Sequence, residues 1–116
     1  MPRLDWYAFY VADYRADTRH LTPMQHFAYR ALIDEIFLSG QHEDPPSVPD
    51  DDSYLRAICR PLNDDEWTAT RHVLIDGPRA LLRSESGRLT QKRVSHEVQK
   101  AVARAGKAKT ASKVRW

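Results

Sequence analysis

A small α+β domain is predicted by three observations: one long amphipathic helix opened by a capping box, two short helices separated by a proline-containing turn, and a final hairpin ahead of another helix. That order is the order of a winged helix-turn-helix, here with an N-terminal strand and a C-terminal amphipathic helix. At 116 residues the chain fits one domain with a single core, taken as residues 1–105, followed by a basic, flexible tail over 106–116.

Each element has a local reason. Leu4, Trp6, Ala8 and Tyr10 alternate with Asp5, Tyr7, Phe9 and Val11, a period of two with aromatic enrichment that reads as a short strand or extended arm. Residues 13–20 are polar and aperiodic and read as an irregular connection. Thr22 caps, Pro23 suits the first helical position and Gln25 completes a capping box, so a helix opens there and runs to about Leu38. Gly40 would close it in a left-handed conformation. Ala28, Tyr29, Leu32, Ile33 and Ile36 share one face, broadened by Phe27, Ala31 and Phe37, which makes this the central core helix.

Pro45, Pro46 and Pro49 mark residues 41–49 as a surface loop. Asp50, Asp51 and Asp52 then place negative charge at the start of a short helix over 53–60, ended by Pro61. Asn63 with Glu66 opens a second helix that continues through Trp67 and Leu74 to Asp76-Gly77-Pro78. Residues 80–83 and 88–91 form a hairpin about the turn Ser84-Glu85-Ser86-Gly87. Val94, Val98, Ala101, Val102 and Ala105 form the seam of a last helix over 92–105, stopped by Gly106.

The same positions carry a family resemblance. Trp6-Tyr7-Ala8-Phe9-Tyr10, Asp13, Thr18 and Leu21-Thr22 are followed by Ala28-Tyr29, Leu32, Pro49-Asp50-Asp51-Asp52, Tyr54-Leu55, Trp67, Leu74, Gly87-Arg88-Leu89, Arg93 and Glu97. Together they resemble the YdaU-like family of phage and prophage proteins, whose domain is similar to the N-terminal winged-helix module of phage replication initiators. The resemblance runs over residues 4–102. It implies a winged-helix fold in a phage or prophage accessory protein acting with DNA or with the replication machinery.

The formal net charge of +2 hides an asymmetry: residues 1–70 carry 6 Lys/Arg against 13 Asp/Glu, and residues 71–116 carry 12 against 3. A basic half favours polyanions such as DNA; alternatively, the two halves are solvated faces. In the recognition position, the helix from Asn63 would turn Trp67, Thr70 and Leu74 inward. Asp65, Thr68, Ala69 and His72 then face outward, with Arg71 at the rim. That face is poor in base-reading side chains and acidic at its start. The expected DNA-binding residues are therefore Thr68, Arg71 and His72 for reading, with Arg79, Arg83, Arg88, Lys92 and Arg93 on the phosphates. Lys100, Arg104 and the basic tail continue that footprint. The alternative is a protein-binding module, such as a small phage inhibitor docking on a host nucleic-acid-processing complex through Asp50, Asp51, Asp52, Asp64 and Asp65.

Catalytic, phosphate-loop and zinc motifs are missing, so neither enzyme activity nor a cofactor is expected. The acidic cluster of Glu43, Asp44 and Asp50–52 lacks the spacing of a calcium loop and reads as capping and loop, and no metal is expected. The aromatic set of Trp6, Tyr7, Phe9, Tyr10, Tyr14, Phe27 and Tyr29 reads as core rather than as a base-stacking platform. Cys59, beside Leu55, Ile58 and Leu62, reads as a buried hydrophobe. No secretory or membrane-spanning run occurs, and the expected compartment is the cytoplasm of a bacterial host cell. The seam of the last helix suits either a homodimer or packing on the domain's own core.

Overall fold

The computed structural model describes Leu4, residues 6–8 and residues 10–114, with side chains through Ala105. Among these residues the chain forms five helices and a three-stranded antiparallel sheet. The helices are α1 (Val11–Thr18), α2 (Pro23–Ser39), α3 (Asp52–Ile58), α4 (Asp64–Arg71) and α5 (Lys92–Val114); the strands are β1 (Val48–Pro49), β2 (Arg83–Glu85) and β3 (Arg88–Thr90). The last turn of α4 widens into a π-helical turn, His72–Asp76.

The centre is α2, packed by α5, α3, α4 and β1. Its capping box is complete: Thr22 Oγ1 accepts from Gln25 N at 3.2 Å, and Gln25 Oε1 accepts from Thr22 N at 3.0 Å. Ala28, Tyr29, Leu32, Ile33, Ile36 and Phe37 are buried as expected, whereas Phe27 faces outward. Gly40 does not close the helix in the left-handed region, since its φ is −61°. A close approach explains the glycine instead. A Cβ there would lie 2.6 Å from Val98 Cγ1, so the missing side chain is what lets α5 cross the end of α2.

Two N-terminal expectations are corrected. The described residues of 4–10 form no strand. They make an arm across α2 and α5, with Leu4 N donating to Gln41 Oε1 at 2.9 Å and Tyr7 Oη donating to Asp34 Oδ1 at 2.5 Å. Buried Leu4 and the Tyr7 ring, 4.5 Å from Phe37, hold the arm rather than ladder pairing, whereas Trp6 and Tyr10, expected in the core, are exposed. Asp5 and Phe9 lie outside the described residues. Residues 13–18 are helical, not irregular. No apolar period announces α1; Tyr14 holds it by stacking on Tyr29 at 6.0 Å and sharing a 3.0 Å hydrogen bond with His26 Nδ1. Thr18, fully buried, closes it by donating to Tyr14 O at 2.6 Å.

The sheet takes its third strand from within the expected loop. Val48 pairs with Leu89 and Pro49 with Arg88, giving the order β1-β3-β2. Proline is tolerated because β1 is an edge strand, where a missing N–H breaks no ladder. The hairpin is present but shifted toward its tip. Its turn is the two residues Ser86-Gly87, at φ 53° and 74°, the left-handed pair that lets a tight turn follow strand twist.

In α3, Asp51 caps by accepting from Tyr54 N at 3.0 Å. In α4, Asn63 and Glu66 form a second complete capping box. Trp67, Thr70 and Leu74 point inward as the helical wheel requires. The seam of α5 packs on the domain's own core through Val94, Val98 and Ala101, while Val102 is exposed. Its backbone continues through Gly106 to Val114 rather than stopping there.

Candidate nucleic-acid interface

The outward face of α4 carries Asp65, Thr68 and Ala69, with His72 just beyond, all exposed. Thr68 Oγ1 donates to Asp64 O at 2.9 Å, a local bond that leaves its oxygen open as an acceptor. The carboxylates at the start of the helix serve their own chain: Glu66 completes the cap, and Asp64 pairs with Arg56.

Arg71 is not on that face. Its guanidinium grips Asp50 through both oxygens, Nη1 to Oδ1 at 2.7 Å and Nη2 to Oδ2 at 3.2 Å. It also reaches Asp52 Oδ1 at 3.1 Å and, through Nε, Asp76 Oδ2 at 3.1 Å. Ser84 Oγ on β2 donates to the same Asp50 carboxylate. The fork of donors fits this bidentate geometry, which a lysine could not reproduce. The Arg71 hydrogen bonds, joined by the Ser84 hydroxyl, hold the Asp50 carboxyl below the usual carboxylate range, and the Asp50 bond in turn pushes the Arg71 guanidinium up. One residue expected to read bases and two expected to dock a protein thus engage each other in a cluster that keeps a net negative charge, tying α4 to the start of α3 and to the hairpin. Asp51 is likewise engaged, as the α3 cap.

The basic residues of the hairpin and α5 divide into two groups. Arg88 turns back onto the loop before β1: its Nε donates to Ser47 Oγ and its Nη2 to Ser47 O, both at 3.0 Å, with Glu43 at 3.6 Å. Arg79, Arg83, Lys92 and Arg93 are exposed. Among the described residues Arg83 has only the exposed Glu85, 3.4 Å away, and Arg93 meets Asp17 of α1 at 3.4 Å. Among the described residues Arg79 and Lys92 have no carboxylate partner. Farther along α5, Arg104 lies 4.1 Å above the Trp6 ring and Lys100 contacts Tyr10 and Glu97.

Two concavities adjoin this basic set. A groove of about 370 Å³ runs between the base of the hairpin and the first turn of α5, bordered by Asp17, Tyr29, Leu81, Arg83, Lys92 and Arg93. A smaller cavity of about 40 Å³ lies beneath the arm, among Tyr7, Tyr10, Tyr14, Tyr29 and Glu97. Tyr29 borders both, and neither was legible as a feature of the sequence. The buried thiol of Cys59 is pushed up to about 11 by desolvation, which makes it inert packing.

Fold and surface together define a small α+β domain with a cationic hairpin and helix start. Among the described residues no helix is long and apolar enough to cross a membrane. The chain belongs to the family described as Protein of unknown function (DUF1376), whose model matches residues 5–99. No curated protein and no solved structure matches it.

Proposed function

We propose that this domain is a non-enzymatic winged-helix module of a phage or prophage accessory protein that binds DNA in the bacterial cytoplasm. The observation that carries the reading is the set of exposed cations Arg83, Lys92 and Arg93 around one groove at the hairpin and the start of α5, with exposed Arg79 in the turn before the hairpin; Arg79 and Lys92 have no carboxylate partner among the described residues. The element order α2-β1-α3-α4-β2-β3, with the sheet order β1-β3-β2, supports the winged-helix assignment. In that assignment α4 is the recognition helix and Ser86-Gly87 the tip of the wing. Phosphate contacts fall to the exposed cations; Arg71 and Arg88 position the framework. Thr68 and His72 are the side chains left to touch base edges, so sequence preference is weak. The replication setting rests on the resemblance to the YdaU-like proteins.

The test is fluorescence anisotropy of the protein with labelled random-sequence duplex across a salt series. Neutralising about three phosphates predicts a slope of log K against log salt of about −3. Changing Arg79, Arg83 and Lys92 to Glu should abolish binding and leave the thermal midpoint nearly unchanged. Absence of binding at low salt removes the DNA reading.

A further inference from the structure

We propose that the groove between the base of the hairpin and the first turn of α5 is a phosphate seat, in which Arg83, Lys92 and Arg93 supply charge and the Tyr29 hydroxyl supplies an oriented hydrogen-bond donor. For its physiological ligand, a backbone phosphodiester, this rests on the DNA reading above; the seat itself does not.

The donor follows from hydrogen-bond accounting. The side-chain nitrogen of Gln91 lies 3.3 Å from the Leu81 carbonyl oxygen and also contacts the Tyr29 hydroxyl. A carbonyl only accepts, so the amide nitrogen must be on that side, with one hydrogen for Leu81 O and one for the Tyr29 oxygen. Tyr29 is thereby an acceptor toward Gln91, and its own hydroxyl hydrogen has no acceptor among the described residues. The residue is 6% exposed and lines the groove, so what occupies the groove decides how this hydrogen is satisfied. Burial also raises the Tyr29 pKa, so the hydroxyl stays protonated at neutral pH.

An anion in the groove would satisfy this donor. Among the described residues three cations against the single carboxylate of Asp17 border it, and Asp17 already holds Arg93 at 3.4 Å. The groove also opens at the N-terminal end of a 23-residue helix, where free amides and the macrodipole favour negative charge. Four independent contributions therefore converge: paired and unpaired cations, a neutral donor, a helix end and open volume. Asp17 opposes them, so removing its charge should tighten binding, a sign that simple loss of structure would not produce.

The experiment is a ¹H–¹⁵N NMR titration of the full chain with inorganic phosphate, and separately with a short DNA duplex, at ionic strength matched with chloride. The seat predicts saturable shifts at Arg83, Lys92 and Arg93 with phosphate and not with chloride. Lys92→Gln should weaken phosphate binding about threefold, Tyr29→Phe about fivefold, and Asp17→Asn should tighten it about threefold. Tyr29→Phe also removes an acceptor from Gln91, so its thermal midpoint is measured alongside; Lys92 is exposed, and its variant keeps the test decisive if Tyr29→Phe fails to fold. Shifts that do not saturate, or affinity unchanged in both Lys92→Gln and Asp17→Asn, overturn the seat. Salt-sensitive DNA binding that ignores these variants overturns the seat and leaves the DNA reading standing. Saturable phosphate binding without DNA binding supports the seat and overturns the DNA reading.

Discussion

Replacing Arg71 by Ala tests whether this residue holds the fold together or reads DNA. Asp50 is 10% exposed and Arg71 24%, so their bidentate pair is largely shielded from solvent. Charged hydrogen bonds of this kind contribute about 1.5–3 kcal/mol, and stranding the half-buried carboxylate adds to the loss. Ser84 still donates to Asp50 in the variant, which limits the penalty, and the outer partners Asp52 and Asp76 are exposed enough to contribute little. The expected cost is about 3 kcal/mol. Asp50→Ala should cost about 2 kcal/mol, because Arg71 keeps two carboxylates. The double variant should cost about 3 kcal/mol, a coupling of about 2. Urea denaturation at pH 7 reads all three, with an unchanged m-value as the control. Acid adds a second leg. The folded pKa of Asp50 is depressed, so its contribution is present above the unfolded value near 3.9 and is lost as pH falls through the lower folded value. Coupling should therefore persist at pH 5 and shrink below about pH 4. A cost under about 1 kcal/mol without coupling would refute the structural role, and loss of DNA preference at unchanged stability would return Arg71 to the reading face.

Gly40→Ala should cost about 2 kcal/mol by forcing the stiff, buried Val98 side chain away from the end of α2; Gly40→Ala combined with Val98→Ala should cost less than the sum of the two, by chemical denaturation. Asn63→Ala, which breaks the α4 capping box, should lower stability by about 1 kcal/mol in the same assay. Cys59 should resist a thiol reagent in the native protein at pH 8 and react only at the rate of unfolding. Because its folded pKa is raised, the stabilising effect of the neutral thiol is complete below the unfolded value near 9.0 and is lost as pH rises toward 11; Cys59→Ala should flatten that alkaline decline.

The part of the fold that is written locally was legible in the chain alone. The capping boxes at Thr22-Gln25 and Asn63-Glu66, the apolar face of α2 and the inward set Trp67, Thr70 and Leu74 depend on residues three or four apart, and their spacing survives any tertiary arrangement. The charge asymmetry was equally legible, because it is a sum over the chain. Tertiary structure decided the rest. Helix α1 has no periodicity of its own and exists because Tyr14 and Thr18 find partners on α2 and in the core. Strand β1 lies in a proline-rich stretch and is defined by Leu89 and Arg88, some 40 residues away in sequence. The same holds for the site. Composition could count Arg71, Asp50 and Ser84 as free surface groups, but pairs separated by 21 and 34 residues become neighbours only when the chain folds. Local rules set the capped helices, while long-range contacts make α1 and β1 and choose which charges pair with one another and which remain for a partner.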